Sequence, residues 1–121
     1  AYGQCTWGVA ARMNQLGLKL KGSNGDKISI INTMGNGQDW VATASSLGGE
    51  TGSTPRAGAF VSFVGGTHGT PADYGHVAFV EKVYDDGSFL VSETNYSGNP
   101  NYTFRKISQA DSAISFAYTT K

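Results

Sequence analysis

The sequence predicts an α+β fold, and three observations carry the prediction. Apolar residues recur at helical spacing only in the first half of the chain. After Pro55 the pattern changes to short runs rich in Val, Phe, Ile and Tyr. The length of 121 residues suits one core, since typical domains run to roughly 100–150 residues. Helices first and strands afterwards describe helices packed on one face of an antiparallel sheet of about five or six strands. Residues 1–121 are expected to form a single domain, and a chain opening at Ala1 without Met reads as a domain excised from a longer multidomain protein.

Between Thr6 and Leu18, the residues Trp7, Ala10, Ala11, Met13 and Leu16 approximate a 3.6-residue spacing, which predicts a first helix with Thr6 or Gln4 as its cap. That helix begins at the cysteine. A second helix is predicted from Gly37 to Leu47, with Trp40, Val41, Ala44 and Leu47 on one face and Gly48-Gly49 as its stop. Five strands follow, at Ala59 to Val64, Gly75 to Tyr84, Ser88 to Thr94, Tyr102 to Ile107 and Ile114 to Tyr118, with turn residues between them. Asp85-Asp86-Gly87-Ser88 is a hairpin signal, so the second and third of these strands are expected to be antiparallel neighbours.

Composition excludes several function classes. Nine Lys plus Arg balance nine Asp plus Glu, and the basic residues are scattered, so there is no field of the kind that neutralises nucleic-acid phosphates. No apolar run approaches the roughly 20 residues that span a bilayer, which argues against membrane insertion. A single cysteine forbids an internal disulfide and a Cys-rich zinc site. Asp85-Asp86-Gly87 reads as a turn, because calcium wants six to eight converging oxygens. No metal or other cofactor is expected.

The lone thiol is either packing or chemistry. A free cysteine has a pKa near 8.5 and is mostly protonated at neutral pH, so a catalytic one needs electrostatic help. A helix N-terminus offers that help through unpaired N–H groups and the helix dipole, and Cys5 stands where the first helix begins. A base is then required, and there are two histidines. His68 lies in the Gly-rich stretch Gly65 to Thr70, whereas His76 opens the apolar run Val77 to Val80. A strand terminus holds an imidazole in one orientation, which selects His76 and leaves His68 as a rim residue. A third group should orient the imidazole. If Tyr84 pairs with Phe89, then His76, Ala78 and Val80 share a sheet face with Glu93, Asn95 and Ser97, and Asn95 is nearer His76 than Glu93. A bulge, or a register two residues different, brings Glu93 closer. Spacing alone leaves the two open.

The segments Tyr2-Gly3-Gln4-Cys5-Thr6-Trp7-Gly8, Pro55-Arg56-Ala57-Gly58-Ala59-Phe60, Tyr74-Gly75-His76-Val77-Ala78 and Glu93-Thr94-Asn95 resemble, in order and spacing, the CHAP domains. These are cysteine- and histidine-dependent amidohydrolases/peptidases of bacterial cell-wall enzymes and phage lysins. The resemblance spans nearly the whole chain and looks closest to Gram-positive surface examples in the Gln-Cys-Thr-Trp segment. It implies a papain-like fold, with Cys5 as nucleophile, His76 as base, Glu93 as the usual third member and Asn95 as an auxiliary polar residue. It also implies secretion or cell-surface action on peptidoglycan, at the stem peptide or cross-bridge (endopeptidase, slightly preferred) or at the N-acetylmuramoyl-L-alanine bond (amidase). One departure is that some such lysins bind calcium through an Asp-rich segment before the nucleophile, and none of the four residues before Cys5 is acidic.

Separately, Cys5 reads as a packing thiol and His76 as an ordinary strand-end histidine. Their placement at two element termini, with Glu93 and Asn95 on one face, favours catalysis. The other class of function compatible with the sequence is a non-catalytic wall-binding module that has kept the fold. Substrate contacts are expected from Gln4, Tyr74 and Tyr96. Trp7 and Trp40 fall on the inferred inner helix faces, which predicts core packing, with a platform for sugar rings as the alternative for both, and Trp7 is counted with the expected substrate contacts. Lys82, Arg105 and Lys106 read as a solvated face. The isolated domain is expected to be a monomer.

Overall fold

The computed structural model describes residues 5–30, 34–94 and 101–121. Helix α1 (Cys5–Leu16) is followed by β1 (Lys19–Lys21) and β2 (Lys27–Ile28). A 3-10 turn at Gly37–Asp39 leads into α2 (Trp40–Ser46), and β3 (Thr51–Gly52) follows. The longer strands are β4 (Phe60–Phe63), β5 (His76–Val83), β6 (Phe89–Glu93), β7 (Thr103–Ile107) and β8 (Ile114–Ala117), before a short β9 (Thr119–Thr120). The fold is α+β, and each of the five expected strands is present within a residue of its expected ends. The pairs and triplets β1, β2, β3 and β9 were not expected, being too short to show a two-residue period.

Two sheets form among the described residues. A six-stranded antiparallel sheet has the order β3-β8-β4-β5-β6-β7, and β2-β1-β9 make a small second one. The helices cover one face of the large sheet. Val9 and Met13 of α1 and Trp40, Val41 and Ala44 of α2 bury against Phe60, Val77 and Phe79. The opposite face has its own core, in which Val61, Phe63, Ala78, Val80, Val91 and Phe116 interlock without a helix. Central strands are therefore buried on both sides, which explains why β4 and most of β5 read as continuous apolar runs.

Trp40 packs edge-on to Phe60 with ring centroids 5.4 Å apart, as a core residue should. Trp7 corrects the expectation for its helix: it is 37% exposed. The inward stripe of α1 is Cys5, Val9, Met13 and Leu16, at steps of four, four and three, and Trp7 lies about 200° around the helix from Cys5. Among the described residues no helix is long and apolar enough to cross a membrane.

Candidate active site

The start of α1, the start of β5 and the end of β6 meet at one end of the large sheet. Cys5 is the first residue of α1, and its thiol lies beside the His76 side chain and the backbone N–H groups of Val77 and Thr6. His76, the first residue of β5, is 2% exposed. Its Nε2 lies 2.7 Å from Glu93 Oε1. Glu93 is fully buried at the end of β6.

The register explains this contact. Val83 pairs with Phe89, one residue short of the simplest hairpin, and a bulge between Val80 and Lys82 adds a second residue of shift, so Val80 faces Val91. Glu93 thereby comes opposite Ala78, diagonal to His76, within reach of a long side chain. Glu93 is therefore in hydrogen-bond contact with the imidazole. Asn95 lies outside the described residues, as do Gln4 and Tyr96.

Electrostatics follow from burial and pairing. Burial pushes the Cys5 thiol up, but the hydrogen bond and charge of His76, with the N–H groups of Val77 and Thr6, outweigh it and leave the thiol below its ordinary value. Burial pushes His76 down, and the hydrogen bonds and charges of Cys5 and Glu93 outweigh that, leaving it raised. Both shifts favour a thiolate–imidazolium pair, which titrates as a unit.

Arg105 of β7, read from the sequence as part of a solvated face, belongs to this network. Its Nε donates to Glu93 Oε2 and its Nη2 to Oε1, both at 3.0 Å. The guanidinium also sits over the Phe63 ring at 5.2 Å. The two-residue alternation of β7 points Thr103, Arg105 and Ile107 inward, while Lys106 and Phe104 stay exposed. His68 is likewise corrected: its Nε2 lies 2.8 Å from Asp111 Oδ2, its carbonyl accepts from Arg105 Nη1, and it does not line the cleft at Cys5.

That cleft, of about 420 Å³, is bounded by Cys5, Thr6, Asn36, Tyr74 and His76 with the glycines between them. Tyr74 is 60% exposed on its wall. Two glycines make the geometry possible. A Cβ on Gly37 would lie 2.6 Å from the His76 carbonyl carbon, and one on Gly75 would lie 2.3 Å from Phe63 O at a φ of +61°. Gln38, not singled out from the sequence, ties the wall together: its Nε2 donates to Asp73 O at 3.0 Å and its Oε1 accepts from Gly65 N at 3.0 Å. Ser62 Oγ accepts from Val41 N and donates to Gly37 O, anchoring the same turn to β4.

A thiol at a helix start, beside an imidazole whose Nε2 meets a buried carboxylate, has the parts needed for acyl transfer through sulfur. Among the described residues no group of three or more His, Cys, Asp or Glu is placed to hold a metal ion.

Comparison with known proteins agrees in extent. The chain is 38% identical over 98% of its length to an N-acetylmuramoyl-L-alanine amidase domain-containing protein of Staphylococcus aureus, of which it covers 17%. It is 38% identical over 92% of its length to the Staphylococcal secretory antigen ssaA2 of the same organism, covering 35% of it. The crystal structure of an N-acetylmuramoyl-L-alanine amidase from Staphylococcus aureus superposes on 98% of the chain with a TM-score of 0.81 and 37% identity, and the chain covers 31% of that protein. The chain thus spans about a sixth to a third of these relatives. Residues 1–95 match the CHAP domain family, and the chain belongs to it.

Proposed function

We propose that this domain hydrolyses an amide bond of bacterial peptidoglycan through a Cys5 thioester. The observation that carries the reading is the line Cys5, His76, Glu93, in which both the thiol and the imidazole are shifted toward their charged forms. The Cys5 thiolate attacks the amide carbonyl carbon, and N–H groups at the start of α1 are available to the oxyanion. His76 gives its proton to the leaving nitrogen as the C–N bond breaks, which leaves a thioester. It then takes a proton from the water that attacks the thioester, and the acid departs as the thiolate–imidazolium pair re-forms. Glu93 holds the imidazole and supports its positive charge. Asn95 remains proposed as an auxiliary polar residue, and Gln4, Tyr74 and Tyr96 as substrate contacts. No step requires a metal.

Peptidoglycan as substrate, and action outside the cell at the wall, are supported by the amidase and secretory-antigen names of the relatives. Those names favour the N-acetylmuramoyl-L-alanine bond over a peptide cross-link. The domain acts as a monomeric unit of a longer protein in this reading.

Digesting purified peptidoglycan with wild type and with Cys5→Ala tests the proposal. Wild type should release soluble fragments and the variant none. Equal release by the two would overturn the thiol mechanism, and no release by either would favour a binding module. Mass analysis of the fragments identifies the bond, because only an amidase frees whole stem peptides from bare glycan.

A further inference from the structure

A second concavity lies on the helix side of the large sheet, away from the thiol. Along one cross-strand line, Phe79 pairs with Ser92 and Ser92 with Phe104, so all three face the helices. Helix α1 lies over β5 and reaches β6 only in part, and the edge strand β7 protrudes beyond it. Phe104 is consequently 65% exposed. Tyr102 stands beside it, 41% exposed, with its hydroxyl donating to Gly8 O at 2.6 Å, and its ring lies 6.5 Å from that of Trp7. The pocket beside Tyr102 and Phe104, of about 320 Å³, has a polar floor. Arg12 donates through Nε and Nη2 to both oxygens of Glu81 at 2.9 Å and through Nη1 to Gln15 Oε1 at 2.8 Å, while Ser92 Oγ donates to Glu81 at 2.7 Å.

We propose that this shelf of Tyr102 and Phe104 above the Arg12–Glu81 pair is a subsite for a sugar ring of the glycan strand, a proposal that rests on the wall-hydrolase reading. Three features select a sugar. The rings of Tyr102 and Phe104 are substantially exposed, and Tyr102 is pinned by its own hydroxyl, so the apolar face of a sugar can stack at little ordering cost. The floor is polar but internally neutral, which suits an uncharged ligand rich in hydroxyl and amide groups. An apolar helix placed there would cover Arg12, Glu81 and Gln15 without pairing their remaining donors and acceptors, at a desolvation cost a sugar avoids. The volume is at the lower end of the roughly 300–1,000 Å³ of small-ligand pockets, enough for one ring. Position fits as well: Arg12 is seven residues along α1 from Cys5, about 10 Å at 1.5 Å per residue, so a glycan seated on the shelf could send an amide-linked branch into the cleft.

The test uses Cys5→Ala protein titrated with peptide-free glycan oligosaccharide of alternating N-acetylglucosamine and N-acetylmuramic acid, followed by 1H–15N NMR. The expected result is saturable shifts at Gln15, Tyr102 and Phe104, with Kd raised roughly fivefold or more by Phe104→Ala and restored by Phe104→Trp. Phe104 is exposed, so neither substitution threatens folding. In wall digestion with Cys5 intact, Phe104→Ala should raise the half-saturating wall concentration by a similar factor. Absence of shifts, an unchanged Kd in Phe104→Ala, or shifts caused by free stem peptide in place of glycan would overturn the subsite. Failure of the hydrolase reading is distinguishable: neither wild type nor Cys5→Ala would then release fragments from walls, whatever the glycan titration shows.

Discussion

At the scale of residues, the site is a chain of four groups, Cys5, His76, Glu93 and Arg105, each set against the next. His76 is pushed down by burial and held up by Cys5 and Glu93. Cys5→Ala removes one of the two supports, so His76 should titrate at lower pH in that variant than in wild type, read from the imidazole resonances. Glu93→Gln should lower kcat by about 10²-fold, in line with loss of an oriented base. It should also destabilise the fold by about 3 kcal/mol in urea unfolding, because Arg105 loses the charge it is paired with. Arg105→Gln leaves the Glu93 carboxylate facing His76 without its guanidinium. The alkaline limb of the pH–rate profile should then move to higher pH, and Arg105→Lys should recover part of the difference. Cys5 and His76 were legible in the sequence because each opens an element, one a helix and the other a strand. Arg105 was not, since a basic pair in an edge strand looks solvated until the pairing of Ser92 with Phe104 and of Val91 with Arg105 is known.

At the scale of elements, the site depends on how closely the 3-10 turn and the loop before β5 approach His76. Gly75→Ala would place a methyl against Phe63 O in a left-handed conformation. It should cost about 2 kcal/mol of stability and a larger share of activity, measured by urea unfolding and by wall digestion on the same sample. The number and order of long strands could be read from alternating apolar residues and turn signals. Their register could not. The bulge at Glu81 and the one-residue difference at the hairpin have no compositional mark, yet together they decide that Glu93 reaches His76. The inner face of α1 was misjudged for a related reason: a spacing tolerant of three or four residues admitted Trp7, whereas packing chose the stripe through Val9 and Met13.

At the scale of the whole molecule, two independent cores hold the sheet rigid from both sides, and the reactive groups gather at its end. The pH dependence of the assembly follows from the shifts at Cys5 and His76. The active pair needs Cys5 deprotonated and His76 protonated. Lowering of the Cys5 value extends activity toward acid, and raising of the His76 value extends it toward alkali. As pH rises through the raised His76 value, the imidazolium is lost, and with it both the proton for the leaving amine and the stability gained from pairing with Glu93. The profile should be a broad bell, unchanged by a chelator such as EDTA. The central claim, a thiolate held by His76 at the start of α1, is tested most directly by the rate at which iodoacetamide alkylates Cys5 as a function of pH. Wild type should reach half its maximal rate below the value of about 8.5 for a free thiol, and His76→Ala should move that midpoint up, since burial is then opposed only by the N–H groups of Val77 and Thr6. Identical curves for the two proteins, both centred at the free-thiol value, would contradict the account.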